Sequence, residues 1–240
     1  MQTLYLIAAV AISVAMSVEA YKLGLLTKDG AICSALVGSC VGLTSSINAF
    51  FLLSVFTIAG FMATLAGMRR KEKEGLQEGA HGERTWKNVA GVGIPPCLAS
   101  LMWFSGILGP EQFAIFFVST IAVAGADTIA SEIGVRDQRV YMITTFERTV
   151  PGVNGGVSVL GTAVSTVAAL LIAVLGWFVM TESLGWMLLI PFAAGVAGNL
   201  LDSVFGALFE NRGWISKYTN NLSTEVLGGV IGLAAYAVIA

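Results

Sequence analysis

The sequence predicts an all-α protein: a polytopic transmembrane helix bundle of about eight spans, forming one membrane domain over 1–240 with its N-terminus outside. Three observations carry this. Only 12% of the residues are charged and 56% are hydrophobic, whereas soluble domains carry about 25% charged residues. Apolar runs recur along the whole chain at lengths close to the roughly 20 residues that cross a bilayer core. The cations are also segregated. With the N-terminus outside, the inside loops are about 20–29, 68–87, 135–155 and 211–223, and all 13 Lys and Arg residues fall in them.

Taken in order, the first apolar run spans about Thr3 to Glu19. It lacks a basic leader, and Ser17-Val18-Glu19-Ala20 is a poor cleavage site, so it is expected to be a span and not a signal peptide. The second, about Gly30 to Thr44, is short and rich in Gly, Ser and Ala. Small residues there let neighbours pack closely; a tilted or broken helix is the alternative. The third runs from about Ile47 to Gly67, before the long polar segment Met68 to Lys87. The basic cluster Arg69, Arg70, Lys71 and Lys73 reads as a topology signal in contact with anionic headgroups. The fourth, about Asn88 to Ile107, contains Pro95-Pro96, which should kink or break it. The fifth runs from about Gln112 to Gly134, followed by a loop from Val135 to Gly155. The sixth, seventh and eighth cover about Val157 to Met180, Trp186 to Phe209 and Thr224 to Ala240.

Cys33, Cys40 and Cys97 lie in apolar runs without metal-ligand spacing, which points to buried thiols and away from disulfides or zinc. The single histidine, His81, excludes a histidine-rich metal site. Nothing in the pattern suggests a nucleic-acid partner.

Chemistry concentrates between Gly125 and Thr162. Asp127 lies about two turns from the inner end of the fifth span, and Asp202 lies similarly in the seventh. An ionisable group at such depth costs a few kcal/mol and faces a wet cavity or a partner. The functional reading is a cation site; the bland one is a structural ion pair or a neutral carboxyl. Asp127 and Ser131 share one helix face and Thr128 and Glu132 the next. Their carboxylates and hydroxyls suit a hard ion such as Mg²⁺. The loop beyond holds Arg148, Pro151, Gly152, Asn154, Gly155, Gly156, Ser158, Gly161 and Thr162. Glycines admit an anion close to backbone N–H groups, the start of the sixth helix adds a positive dipole end, and Arg148 can clamp a phosphate bidentately. A plain tight turn with small-residue packing is the rival. The segment Gly198–Ser203 carries an amide, a carboxylate and a hydroxyl on one helical stretch, and Asn199 and Asp202, three apart, share a face. Asn220, Asn221, Ser223, Thr224 and Glu225 form a polar approach to the eighth helix, with Ser223 or Thr224 as its cap. Arg84 and Asn88, just ahead of and at the start of the fourth helix, are placed to reach into a site.

Three blocks, D-T-x-A-S-E-x-G at Asp127–Gly134, R-x-x-P-G-x-x-G-G-x-S-x-x-G-T at Arg148–Thr162 and G-N-x-x-D-S-x-x-G-A at Gly198–Ala207, occur in that order. Together with Arg84-Thr85-Trp86-Lys87-Asn88-Val89 they resemble the integral membrane family filed as domain of unknown function 92, over nearly the whole chain. That family includes the plant phytyl-phosphate kinase of vitamin E synthesis and is distantly similar to the CTP-dependent dolichol and phytol kinases. The resemblance implies phosphoryl transfer from a nucleotide, CTP first, to a polyprenyl monophosphate, with Mg²⁺ as cofactor. The longer lysine-containing stretch of the dolichol kinases is reduced here to Arg139–Arg148. On this reading Asp127, Arg148 and Asp202 are catalytic, and Asp127, Glu132 and Asp202 hold the metal. Arg84, Asn88, Ser131, Asn154, Gly155, Gly156, Ser158, Gly161, Thr162 and Asn199 bind the nucleotide and phosphates. The expected setting is the cell membrane, with the site facing the cytoplasm and the lipid substrate drawn from the bilayer. An alcohol acceptor at the same site, and a transporter of a small anionic or lipid-phosphate solute, are the alternatives. Prenyl chain length and oligomeric state are encoded in no motif.

Overall fold

The computed structural model describes residues 2–74 and 82–239, with side chains for all of these except Gln2 and 66–74. His81 and the side chains of Arg69, Arg70, Lys71 and Lys73 lie outside the described residues. Among the described residues the protein is helical apart from one small sheet and one isolated β-bridge. Its helices are α1 (Gln2–Lys22), α2 (Lys28–Thr44), α3 (Ile47–Glu74), α4 (Trp86–Phe104), α5 (Pro110–Ile133), α6 (Val159–Thr181), α7 (Leu189–Phe205) and α8 (Lys217–Ile239). Among the described residues, six of them are long and apolar enough to cross a membrane: α1, α3, α5, α6, α7 and α8. Large apolar side chains such as Leu4, Phe104 and Val159 are exposed, as the outer face of a bilayer-embedded protein requires.

The chain divides into two compact units, Met1–Phe113 and Ala114–Ala240. In the first, α2 is one unbroken helix whose small residues meet its neighbours. A Cβ at Gly38 would lie 2.6 Å from Ser13 Oγ of α1, and one at Gly42 2.7 Å from Ala9 Cβ. Across the other face, a Cβ at Gly93 of α4 would lie 2.6 Å from Val37 Cγ2. This is the close backbone approach that small residues permit in membranes. Pro95 and Pro96 do not break α4, which runs from Trp86 to Phe104 with both inside it. The residue four before Pro95 is Gly91, so the ring meets the least bulky possible turn. α3 continues past the expected Gly67 to Glu74, because Lys, Arg and Glu are good helix formers that extend a span beyond its apolar end.

The turn between α1 and α2 is fixed to the residues ahead of α4. Leu26 and Arg84 form a parallel β-bridge, with Arg84 N donating to Leu25 O at 3.0 Å and Thr27 N to Arg84 O at 3.1 Å. Thr27 caps α2 by accepting from Gly30 N at 3.2 Å. Asp29 Oδ2 accepts from Trp86 N at 3.2 Å.

In the second unit, the expected loop 135–155 is more ordered than a loop. A 3₁₀ turn (Gly134–Arg136) leads into a three-stranded antiparallel sheet of β1 (Val140–Met142), β2 (Arg148–Thr149) and β3 (Gly156–Val157), in the order β2-β1-β3. Val140 pairs with Thr149 and Tyr141 with Arg148 on one side, and Tyr141 with Val157 and Met142 with Gly156 on the other. α7 follows a 3₁₀ turn at Trp186–Leu188 and ends in a π-helical segment, Gly206–Glu210.

Candidate functional site

The acidic cluster is built on a notch that three helices share. Val123 of α5 sits where a Cβ on Gly198 of α7 or on Gly228 of α8 would collide with its Cγ2. Position 127 is four after Val123, position 202 is four after Gly198, and position 224 is four before Gly228. A spacing of four keeps side chains on one helix face, one turn along. The close approach at Val123 therefore sets Asp127, Asp202 and Thr224 at one level, on two helices running one way and a third running back.

At that level Thr224 Oγ1 donates to Asp202 Oδ2 at 3.2 Å, with the Asn220 and Asn221 carbonyls as its helix-internal alternatives. Asn220 Nδ2 donates to the Asp202 backbone carbonyl at 3.0 Å and lies 3.4 Å from Glu210 Oε2. The π-helical segment makes this second contact possible by carrying Glu210 round to the same side. π segments of this kind recur at functional sites. The charges acting on Asp202 are Asp127, Glu210 and Lys217, and those acting on Glu225 are Asp127 and Asp202. Asn220, Thr224 and Glu225 are buried, and Asn220 Oδ1 and Glu225 Oε2 have no hydrogen-bond partner among the described residues.

Five of these residues depart from what the sequence predicts or carry no signal in it. α8 begins at Lys217 and not at Thr224. The cap is Ser216, whose Oγ accepts from Thr219 N at 3.2 Å, so neither Ser223 nor Thr224 caps the helix. Lys217, Asn220, Thr224 and Glu225 are helical residues, and Glu210 joins from the π segment. The signal available was the four-residue spacing of Asn220, Thr224, Gly228 and Gly232, which marks one polar-to-small stripe along α8.

The other predicted residues divide. Asn199 is buried beside Gly198. Glu132 is buried on α5, whereas Ser131 is exposed. Arg148, Asn154 and Thr162 are exposed. The glycine block is packed more than open. Gly155, at φ +79°, would place a Cβ 2.5 Å from Ala207 Cβ, and Asn211 Nδ2 donates to Asn154 O at 2.9 Å. The loop is thereby fastened to the π segment of α7. Gly134 and Gly161 pass so closely that a Cβ on the first would lie 2.8 Å from the Cα of the second. Gly156 N donates to Val153 O at 3.0 Å, Thr162 N to Ser158 O at 2.9 Å and Gly161 N to Ser158 Oγ at 3.0 Å. Ser158 is thus the N-cap of α6. Turn and cap geometry engages the N–H groups of Gly156, Gly161 and Thr162. What faces outward at this end is the Arg148 side chain and the positive end of α6. Arg84 and Asn88 belong to the other unit, where Arg84 Nη2 donates to Thr64 Oγ1 at 3.1 Å and Asn88 Oδ1 accepts from Thr85 N and Oγ1, both at 2.9 Å.

Among the described residues, no group of three or more His, Cys, Asp and Glu side chains forms a ready-made metal site. The donor chemistry still fits a hard cation. The Asp202 carboxylate and the Thr224 hydroxyl are in contact, and the buried oxygens Asn220 Oδ1 and Glu225 Oε2 lack partners.

Residues 11–234 match the family described as integral membrane protein DUF92. Relatives span archaea, cyanobacteria and plants. The chain is 31% identical to the uncharacterized membrane protein MJ0933 of Methanocaldococcus jannaschii, covering 89% of this chain and 87% of that one. It is 30% identical to Protein PGR of Arabidopsis thaliana, covering 88% and 81%. It is 26% identical to Protein VTE6, chloroplastic, of the same plant, covering 87% and 64%. No solved structure matches. With its three blocks falling inside the matched span, the chain belongs to the integral membrane protein family DUF92.

Proposed function

We propose that this protein is a nucleotide-dependent prenyl-phosphate kinase. It transfers the terminal phosphoryl group of a nucleoside triphosphate, CTP in the first instance, to a polyprenyl monophosphate such as phytyl or geranylgeranyl phosphate. The observation that carries the reading is the meeting of Asp202, Thr224 and Asn220, with Asp127 and Glu225 as acidic neighbours. So many acceptor oxygens inside a membrane protein need a cation or a proton to be tolerated. Membership of a family that includes a phytyl-phosphate kinase supports the same chemistry.

In the reaction, an oxygen of the lipid phosphate forms a bond to the γ-phosphorus as the bond from that phosphorus to the β-bridging oxygen breaks. A prenyl diphosphate and a nucleoside diphosphate result. Asp127 and Asp202, with Asn220 Oδ1, would hold Mg²⁺, which when bound neutralises phosphate charge. Thr224 orients the Asp202 carboxylate through its hydroxyl, and Asn220 fixes the backbone that carries it. Arg148 and the start of α6 supply positive charge for the triphosphate. The acceptor is already ionised near neutral pH, so positioning and charge neutralisation supply most of the rate and no strong base is needed. The proposed setting is a site open to the cytoplasm in the cell membrane.

The test is a purified-protein assay of CTP, ATP, UTP and GTP against prenyl monophosphates and prenyl alcohols. Formation of prenyl diphosphate, lost in Asp202→Asn, is expected. Turnover only with the alcohol moves the assignment to a polyprenol kinase. No nucleotide consumption with any acceptor overturns the kinase reading in favour of a carrier.

A further inference from the structure

The first unit contains a cleft between α1, α2, α3 and α4, with a cavity volume of about 100 Å³. Its walls are mostly hydrocarbon, from residues such as Phe50, Leu53, Phe61 and Val89. Three of the hydroxyls that line it are turned into their own helices. Ser13 Oγ donates to Ala9 O at 2.7 Å, Ser54 Oγ to Phe50 O at 2.8 Å and Thr57 Oγ1 to Leu53 O at 2.9 Å. A polar solute would find few open donors along these walls, whereas a hydrocarbon chain would find an apolar surface.

One lining residue is charged. Arg84 is half-buried in the cleft. Its backbone is fixed by the bridge to Leu26 and by Thr27, so its position is set by the fold. Its guanidinium has five donors, and the side-chain contact the structure gives it is Nη2 to Thr64 Oγ1. Among the described residues no carboxylate pairs with it. A half-buried guanidinium beside apolar walls is costly without an anion.

We propose that this cleft binds a lipid phosphate, with its hydrocarbon chain between α2, α3 and α4 and its anionic head on Arg84. This deepens the proposed function and rests on it for the isoprenoid nature of the lipid; the cleft and its cation stand apart from that reading.

The experiment is photolabelling of the purified full-length protein with a diazirine-bearing geranylgeranyl monophosphate, followed by peptide mapping. Label is expected in α3 and α4. Excess unlabelled geranylgeranyl phosphate should remove it, and equal concentrations of dioleoyl phosphatidic acid or inorganic phosphate should not. Arg84→Gln should weaken capture of the phosphate about tenfold or more, as loss of a charge-assisted hydrogen bond does, and leave capture of the matching prenyl alcohol unchanged. Ser54→Phe, which fills the cleft from α3, should weaken both. Label confined to 114–239, or equal displacement by phosphatidic acid, overturns the proposal. So does an Arg84→Gln protein that captures the phosphate as well as the parent while Ser54→Phe remains folded by thermal melt. Arg84-dependent labelling without nucleotide consumption upholds the cleft and defeats the kinase reading. Diphosphate formation with the label elsewhere does the reverse.

Discussion

Gly198→Ala tests whether the notch at Val123 organises the acidic cluster. The added methyl would lie 2.9 Å from Val123 Cγ1 and 3.2 Å from its Cβ, with Cγ2 closer still. Carbon atoms are at their optimum near 3.5 Å or beyond, so even the Cγ1 contact is about 0.6 Å too short. Val123 is also hemmed in from the other side by Gly228, so it cannot turn away without meeting α8. Overpacking of this kind costs about 1–3 kcal/mol, which for a chain of this size lowers Tm by about 2–12 °C. Val123→Ala in the same chain removes the methyls that are struck. The double variant should be more stable than the sum of the two single losses by about 1–2 kcal/mol, within the range expected for residues in contact. The measurement is a thermal melt of the four proteins in detergent or nanodiscs, with prenyl diphosphate formation followed alongside. Gly228→Ala should be relieved by the same Val123→Ala change. Gly195→Ala should not, since its new methyl would meet Ala122 at 2.8 Å and Ala169 at 3.1 Å. Losses additive to within about 0.5 kcal/mol for Gly198 and Val123, or rescue of Gly195→Ala as well, would refute the argument.

Thr224→Val keeps the shape but removes the hydroxyl from Asp202. Activity should fall about tenfold or more, with Thr224→Ser close to the parent, in the prenyl-phosphate assay. Ser158→Ala removes the α6 cap and should cost about 1 kcal/mol, read as a lower Tm, with Ser158→Asp restoring most of it. Asp29, held below the usual aspartate range by the Thr27 hydroxyl and the Trp86 N–H, is exposed at the head of α2. Its pKa is lower folded than unfolded. Its stabilising contribution is therefore present above the ordinary aspartate value and is lost as pH falls through the folded one. Acid melts of Asp29→Asn should show a shallower loss of stability across that window, and an unchanged acid limb would show that Asp29 contributes nothing.

Much of the fold was legible because apolar runs of membrane length are an unambiguous signal, and the lateral packing of α2 followed from its glycines. What was hidden depended on contacts across helices. Lys217 to Ser223 reads as a polar loop, and the contact of the Asn220 amide with the Asp202 carbonyl, which buries Asn220, is supplied only by the fold. Glu225 reads from the sequence as part of a helix entry, because its burial is tertiary. Strands of two or three residues are too short to leave a period-two pattern, so the sheet at Val140–Val157 had no sequence signature. The π segment is a backbone event with no residue code of its own. Asp127 and Asp202 were legible for the opposite reason: a carboxylate within a span stands out whatever surrounds it.

The shared register of the three helices constrains how this protein can change over time. Five-residue segments, 123–127, 198–202 and 224–228, join the notch to the polar groups it positions. One inserted or deleted residue within any of them would turn the functional side chain by about 100° relative to its packing glycine or valine, since an α-helix has about 3.6 residues per turn. Side-chain identities elsewhere in the spans can drift with the bilayer, and loop lengths can drift with them. These three segments should tolerate substitution far more readily than a change of length, and alignments of DUF92 proteins should run through them without a gap.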